Sequence, residues 1–136
     1  MKFFPQLIVF LVAASAASIR AGSASELRER KLDVGESVSL RVIEAGKPEA
    51  QPVLVFIPGW STGAEIWHQQ IDAFAKTYRI IAFDPRSQGE STKATSGNTP
   101  ETGAQDLHAL LQRLGVTPRS HWVVARRSGH RRLCRA

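Results

Sequence analysis

The stretch from Val53 to Phe83 constrains the fold most. Val53-Leu54-Val55-Phe56-Ile57 is apolar without a break, and Pro58-Gly59 bounds it. A short continuous run of this kind suits a strand buried on both faces. Thr62 then reads as a helix N-cap with Glu65 as its capping-box partner. Trp67, Ile71, Phe74 and Tyr78 recur on one helical face, which predicts a helix at about 63–76. Ile80-Ile81-Ala82-Phe83 is a second apolar strand and ends at Asp84. Strand, helix and strand within about thirty residues form a βαβ unit, and its strands are parallel.

The flanks extend this pattern. Residues 25–36 read as an arm or a weak first strand. Val38 to Ile43 alternates, apolar at 38, 40 and 42 and polar at 39 and 41, which predicts a half-buried strand. Gly46, Pro48 and Pro52 mark a turn. Residues 85–98 are rich in Pro, Ser, Gly, Thr and Asn and read as a loop. Thr99-Pro100-Glu101 starts a helix expected at about 100–114, with a cap, a proline at the first position and an acid in the first turn. Ala104, Leu107, Leu111 and Leu114 give that helix one apolar face, and Gly115 then Pro118 end it. Trp122-Val123-Val124-Ala125 is a third apolar strand.

Both ends differ from this body. Lys2 followed by the apolar run Phe3 to Ala17 is too short to span a bilayer comfortably. With Ala14-Ser15-Ala16 or Gly22-Ser23-Ala24 after it, the segment reads as a secretory signal peptide, cleaved after about Ala16 or Ala24. An uncleaved N-terminal anchor is the alternative. The protein is therefore expected to be secreted or periplasmic, with no stable membrane span after cleavage. Of the net charge of +6, five units belong to arginines within residues 126–136, so the body is near neutral. No aromatic residue interleaves with those arginines, which argues against nucleic acid as partner. The single cysteine, Cys134, excludes an internal disulfide and a Cys-rich zinc site. The division expected is a signal peptide and spacer over 1–24, a partial domain over 25–125 and a basic irregular tail over 126–136.

Three places carry possible chemistry. Pro58-Gly59-Trp60 lies at the carboxyl end of a buried strand, where α/β sheets bind ligands. Asp84-Pro85-Arg86-Ser87-Gln88-Gly89-Glu90-Ser91 follows the next strand. Asp84 there reads either as a catalytic carboxylate or, with Arg86 and Ser91, as the tie of a loop, and the tie is favoured. Ser128 stands three residues beyond the strand ending at Ala125, where a sharp turn would lift a hydroxyl above the sheet. Among the histidines, His68 and His108 fall on predicted helix surfaces, His121 at a strand start and His130 two residues from the serine. None is a convincing general base.

In their order, these parts resemble the N-terminal half of the α/β-hydrolase family over about residues 35–128. The resemblance implies a truncated α/β-hydrolase-like sheet, mostly parallel. Pro58 stands where the family has histidine, and Trp60 matches the residue whose backbone N–H enters the oxyanion hole. Gly129 would supply the second donor beside Ser128, the nucleophile. Gly59, Asp84 and Arg86 are implied as structural residues near the site, with Ser87 in place of the loop's first glycine. At the nucleophile turn, however, Arg126 and His130 replace the two small residues that its strained geometry needs.

The implied activity is acyl hydrolysis of a small ester or amide, of esterase, lipase or amidase type, without metal or organic cofactor. Only eight residues follow Ser128, whereas the family's acid and histidine come after the serine. The chain is accordingly expected to be inactive, with residues 126–136 read as the product of a frameshift or gene truncation. Two other readings are a non-catalytic secreted binding or scaffold remnant and a basic-tailed binder of anionic surfaces. A parallel sheet lacking the covering helix after the nucleophile is also expected to aggregate through the strand at 122–125. Substrate identity and oligomeric state are not legible.

Overall fold

The computed structural model describes residues 27–117 and 122–126. Five strands form one sheet in the order β1-β2-β4-β3-β5. They are β1 (Arg28–Gly35), β2 (Val38–Ala45), β3 (Val53–Ile57), β4 (Arg79–Phe83) and β5 (Trp122–Arg126). β3 pairs in parallel with both β4 and β5, so the strand at 53–57 lies between the other two of the βαβ core. β2 joins β4 antiparallel, and β1 joins β2 antiparallel, making the sheet mixed. Residues 28–35 are thus a strand rather than an arm.

The period-two rule divides the core. Val53, Val55, Ile81 and Phe83 point to one face and pack with Val38, Leu40 and Val42 against α2 (Pro100–Arg113). Phe56, Ile80 and Ala82 point to the other and pack with Ile43 and Ala45 against Ala64, Ile71 and Ala75 around α1 (His68–Phe74). Both sheet faces are therefore covered by apolar side chains, which suits continuous apolar strands.

Several expectations change. The helix predicted at 63–76 is a 3₁₀ turn, Ala64–Trp67, followed by the short α1. Thr62 does not cap it. Its Oγ1 donates instead to the Gly59 carbonyl at 2.8 Å. Glu65 is not a capping-box partner either, because its carboxylate pairs with Arg41. The acceptor comes from a distant residue: Asp84 Oδ1 takes the Ala64 N–H at 2.6 Å. Phe74 is 42% exposed and Tyr78 lies past the helix end, so only Ile71 and part of Trp67 use the expected face.

β2 is not half-buried. Arg41, expected on the wet face, is buried among Glu29, Glu65 and Asp84. The chain after β4 explains this by running on alongside β2: Asp84 N–H donates to the Arg41 carbonyl and Arg41 N–H to Ser91 Oγ. Thr92 N–H donates to the Ser39 carbonyl. In α2 the expected cap is present, with Thr99 Oγ1 accepting from Thr102 N–H, and Gly115 ends the helix with φ +69°. Its buried face is Leu110, Leu111 and Leu114, while Ala104 is exposed. Among the described residues no helix is long and apolar enough to cross a membrane.

Candidate active site

Beyond the carboxyl end of β4 a loop is built on one buried carboxylate. Asp84 has no exposed surface. Its Oδ1 accepts from Ala64 N–H at 2.6 Å, and its Oδ2 from Glu90 N–H at 2.7 Å and from Arg41 Nη1 at 3.5 Å. Its carbonyl accepts from Ser91 Oγ at 2.6 Å. Gly89, at φ +46°, has no room for a Cβ, which would overlap the Asp84 carboxylate. Full burial and three accepted hydrogen bonds, one from an arginine, make the Asp84 carboxylate a tie between the loop, the Ala64 turn and β2.

Arg86 makes a tie of its own. Nε and Nη2 hold the two oxygens of Asp106 on α2 at 2.9 and 2.8 Å, and both side chains are buried. The hydrogen bonds to Asp106 push the Arg86 guanidinium further above its ordinary range. The sequence grouped Arg86 with Asp84 and Ser91. Its partner is instead the second helix, and nothing local in the sequence marks Asp106 for that role.

Around this frame lies a cavity of about 330 Å³ at the carboxyl ends of β3 and β4. Ile57, Pro58 and Trp60 contribute from β3, Phe83, Pro85, Arg86 and Gln88 from β4, and residues 97–100 with Gly103, Ala104 and Leu107 from the start of α2. Trp60 stands at its mouth, 77% exposed. Among the described residues nothing accepts the Trp60 backbone N–H, although Thr62 N–H and Oγ1 both engage the Gly59 carbonyl. β5 runs beside this turn, with Ile57 opposite Arg126.

Of the residues singled out in the sequence, Gly59, Trp60, Asp84 and Arg86 gather at this end of the sheet. Ser128, Gly129, His121, His130 and Cys134 lie outside the described residues. His68 and His108 are exposed and do not line the cavity. His68 Nδ1 is 3.0 Å from the Glu65 carbonyl. Sequence reasoning missed two features, Gln88 as a cavity residue and Arg41 as the hub of four carboxylates, Glu29, Glu65, Asp84 and Glu90. The polar position between Ser87 and Gly89 was the available signal for the first. The second had none, since alternation pointed Arg41 outward.

Comparison with known proteins agrees with this architecture. Residues 52–122 match the sequence profile of the α/β-hydrolase fold, and the chain belongs to that family. It is similar to a bifunctional esterase/perhydrolase of Acinetobacter calcoaceticus, with 33% identity over 75 residues, 54% of this chain and 27% of that protein. It is also similar to epoxide hydrolase A of Mycobacterium tuberculosis, with 39% identity over 98 residues, 70% of this chain and 30% of that protein. The crystal structure of Cfl2 from Burkholderia cenocepacia superposes with a TM-score of 0.64 at 26% identity, covering 72% of this chain and 32% of that one. The chain thus spans less than a third of the length of each.

Proposed function

We propose that the cavity is the acyl-binding part of a serine-type hydrolase site for small esters or amides. The observation that carries this is the Trp60 N–H, which no described residue accepts, on the rim of a largely apolar cavity at the carboxyl end of a buried strand. Such a donor suits an oxygen that gains charge as a carbonyl becomes tetrahedral. Gly129 N–H would be the second donor, and Ser128 Oγ the attacking atom. The sequence reaches Ser128 two residues after Arg126, the residue opposite Ile57.

Chemistry favours acyl over epoxide substrates. A serine that opens an epoxide is left as an ether, which water does not cleave at neutral pH. A serine that attacks an ester is left as an acyl ester, which water can release. Turnover also needs a histidine base, and neither His68 nor His108 reaches the cavity. Arg126 and His130, standing where the nucleophile turn needs two small residues, support a reading in which this chain binds acyl groups without hydrolysing them. The pattern of Lys2, the apolar run and the small residues after it supports export, which an N-terminus between Ala17 and Ser25 in the mature protein's mass spectrum would bear out.

Two measurements test this reading. Methyl heptyl ketone has an ester-like carbonyl that no serine can hydrolyse. It is expected to change tryptophan emission saturably in the full chain and less in Trp60→Phe. No saturable change would overturn the site. With para-nitrophenyl butyrate, the chain and Ser128→Ala are expected to release nitrophenol equally slowly. An excess rate that Ser128→Ala abolishes would overturn the inactivity and leave the hydrolase reading standing.

A further inference from the structure

The Trp60 N–H is one end of a peptide unit whose other end is the Gly59 carbonyl. In a trans peptide the two lie in one plane and point in opposite directions, so whatever holds the carbonyl also aims the N–H. Thr62 holds that carbonyl twice. Its backbone N–H donates to the Gly59 oxygen at 3.3 Å, closing a turn over residues 59–62, and its Oγ1 donates to the same oxygen at 2.8 Å. The hydroxyl bond is the shorter of the two. The turn needs that support. Ser61, its third residue, sits at φ +62°, in the left-handed region that residues with a Cβ avoid. Gly59, its first, has no Cβ to restrict rotation of the peptide that follows it.

The hydroxyl bond has two consequences for the N–H. It opposes rotation of the peptide, which would present an acceptor oxygen where a carbonyl ligand needs a donor. It also polarises the amide, and hydrogen bonds made at the two ends of one polarisable unit strengthen each other. We infer that Thr62 is a positioning residue, whose hydroxyl bond to the Gly59 carbonyl aims and strengthens the Trp60 N–H as donor to the carbonyl oxygen of an acyl ligand. This rests on the reading of the cavity as an acyl site. It goes further by tracing the site's selection of a carbonyl to a side chain that meets no ligand. Thr62 is not among the residues lining the cavity, so its influence passes through the Gly59–Trp60 peptide.

The test compares methyl heptyl ketone with its hydrocarbon isostere, in which a methylene group replaces the carbonyl oxygen. Their dissociation constants are measured through tryptophan emission on the full chain, on Thr62→Val and on Thr62→Ser. The two ligands differ in hydration, but that difference cancels when the ratio of their constants is compared between chains. Thr62→Val keeps the shape of the side chain and loses the hydroxyl. It should shift the ratio against the ketone by about three- to tenfold, the size of one weakened hydrogen bond. Thr62→Ser keeps the hydroxyl and should keep the ratio. A hydroxyl that only stabilised the turn would leave the ratio unchanged in Thr62→Val, and that result overturns the inference with the acyl site intact. If Thr62→Val does not fold, a ratio shifted against the ketone in Thr62→Ser overturns it in the same way. Failure of the ketone to bind the unmodified chain overturns the acyl site and this inference together.

Discussion

Ser87 has φ +65°, a conformation that costs a residue with a Cβ about 1–2 kcal/mol. Its hydroxyl accepts from the Ala94 N–H and donates to the Ala94 carbonyl, each at 3.1 Å. Two such bonds contribute about 1 kcal/mol each, so they offset the backbone cost. That balance explains a serine where the family's loop has glycine. Ser87→Gly should therefore change stability by less than about 1 kcal/mol, since strain and bonds leave together. Ser87→Ala keeps the strain and loses the bonds, and should cost about 1–3 kcal/mol. Urea unfolding compares the two, and equal midpoints would contradict the account. Glu29 supplies the acid sensitivity. Its carboxylate takes Arg41 Nε at 2.6 Å and Nη2 at 2.9 Å, and these hydrogen bonds hold it below the usual carboxylate range. A carboxylate depressed in the folded state adds stability above its unfolded pKa of about 4.3, and that contribution disappears as pH falls through the lower folded value. Glu29 is partly exposed, so solvent weakens the effect. Thermal midpoints should fall more steeply below about pH 4 in the unmodified chain than in Glu29→Gln. Parallel curves would sink this assignment.

Among the elements, α2 and the loop 85–98 depend on each other through the buried Arg86–Asp106 pair. Asp106→Asn leaves the guanidinium buried without its bidentate partner and should cost about 3 kcal/mol in urea unfolding, because a broken buried pair costs more than an absent one. The double change Arg86→Met with Asp106→Leu should recover part of that loss. A cost below about 1 kcal/mol for Asp106→Asn would show that the loop holds without the pair. α2 was readable because its signals are local: Thr99, Pro100 and Gly115 each act within one turn of the helix end they define. β3 and β4 were readable because burial on both faces leaves an unbroken apolar run. The helix at 63–76 was misread because its first N–H is capped by Asp84, twenty residues downstream. Local grammar offered Thr62 and Glu65, and tertiary contacts took both for other uses. Arg41 was misplaced for the same reason, since neither its carboxylates nor the loop running alongside β2 is near it in sequence.

At the scale of the whole molecule, a mixed sheet with α1 on one face and α2 on the other brings Gly59, Trp60, Asp84 and Arg86 to one end. The motifs were legible as separate words, and the cavity they enclose was not, because its third wall comes from the start of α2, about forty residues beyond Pro58. The central claim is that small acyl ligands occupy that end of the sheet. Titration of isotopically labelled chain with methyl heptyl ketone, followed through backbone amide chemical shifts, tests it most directly. Saturable shifts confined to Gly59, Trp60, Gln88 and the first two turns of α2 are the predicted result. Shifts centred on Arg28, Gly46 and Arg79, which line a smaller hollow elsewhere on the sheet, or no saturable shifts at all, would contradict it.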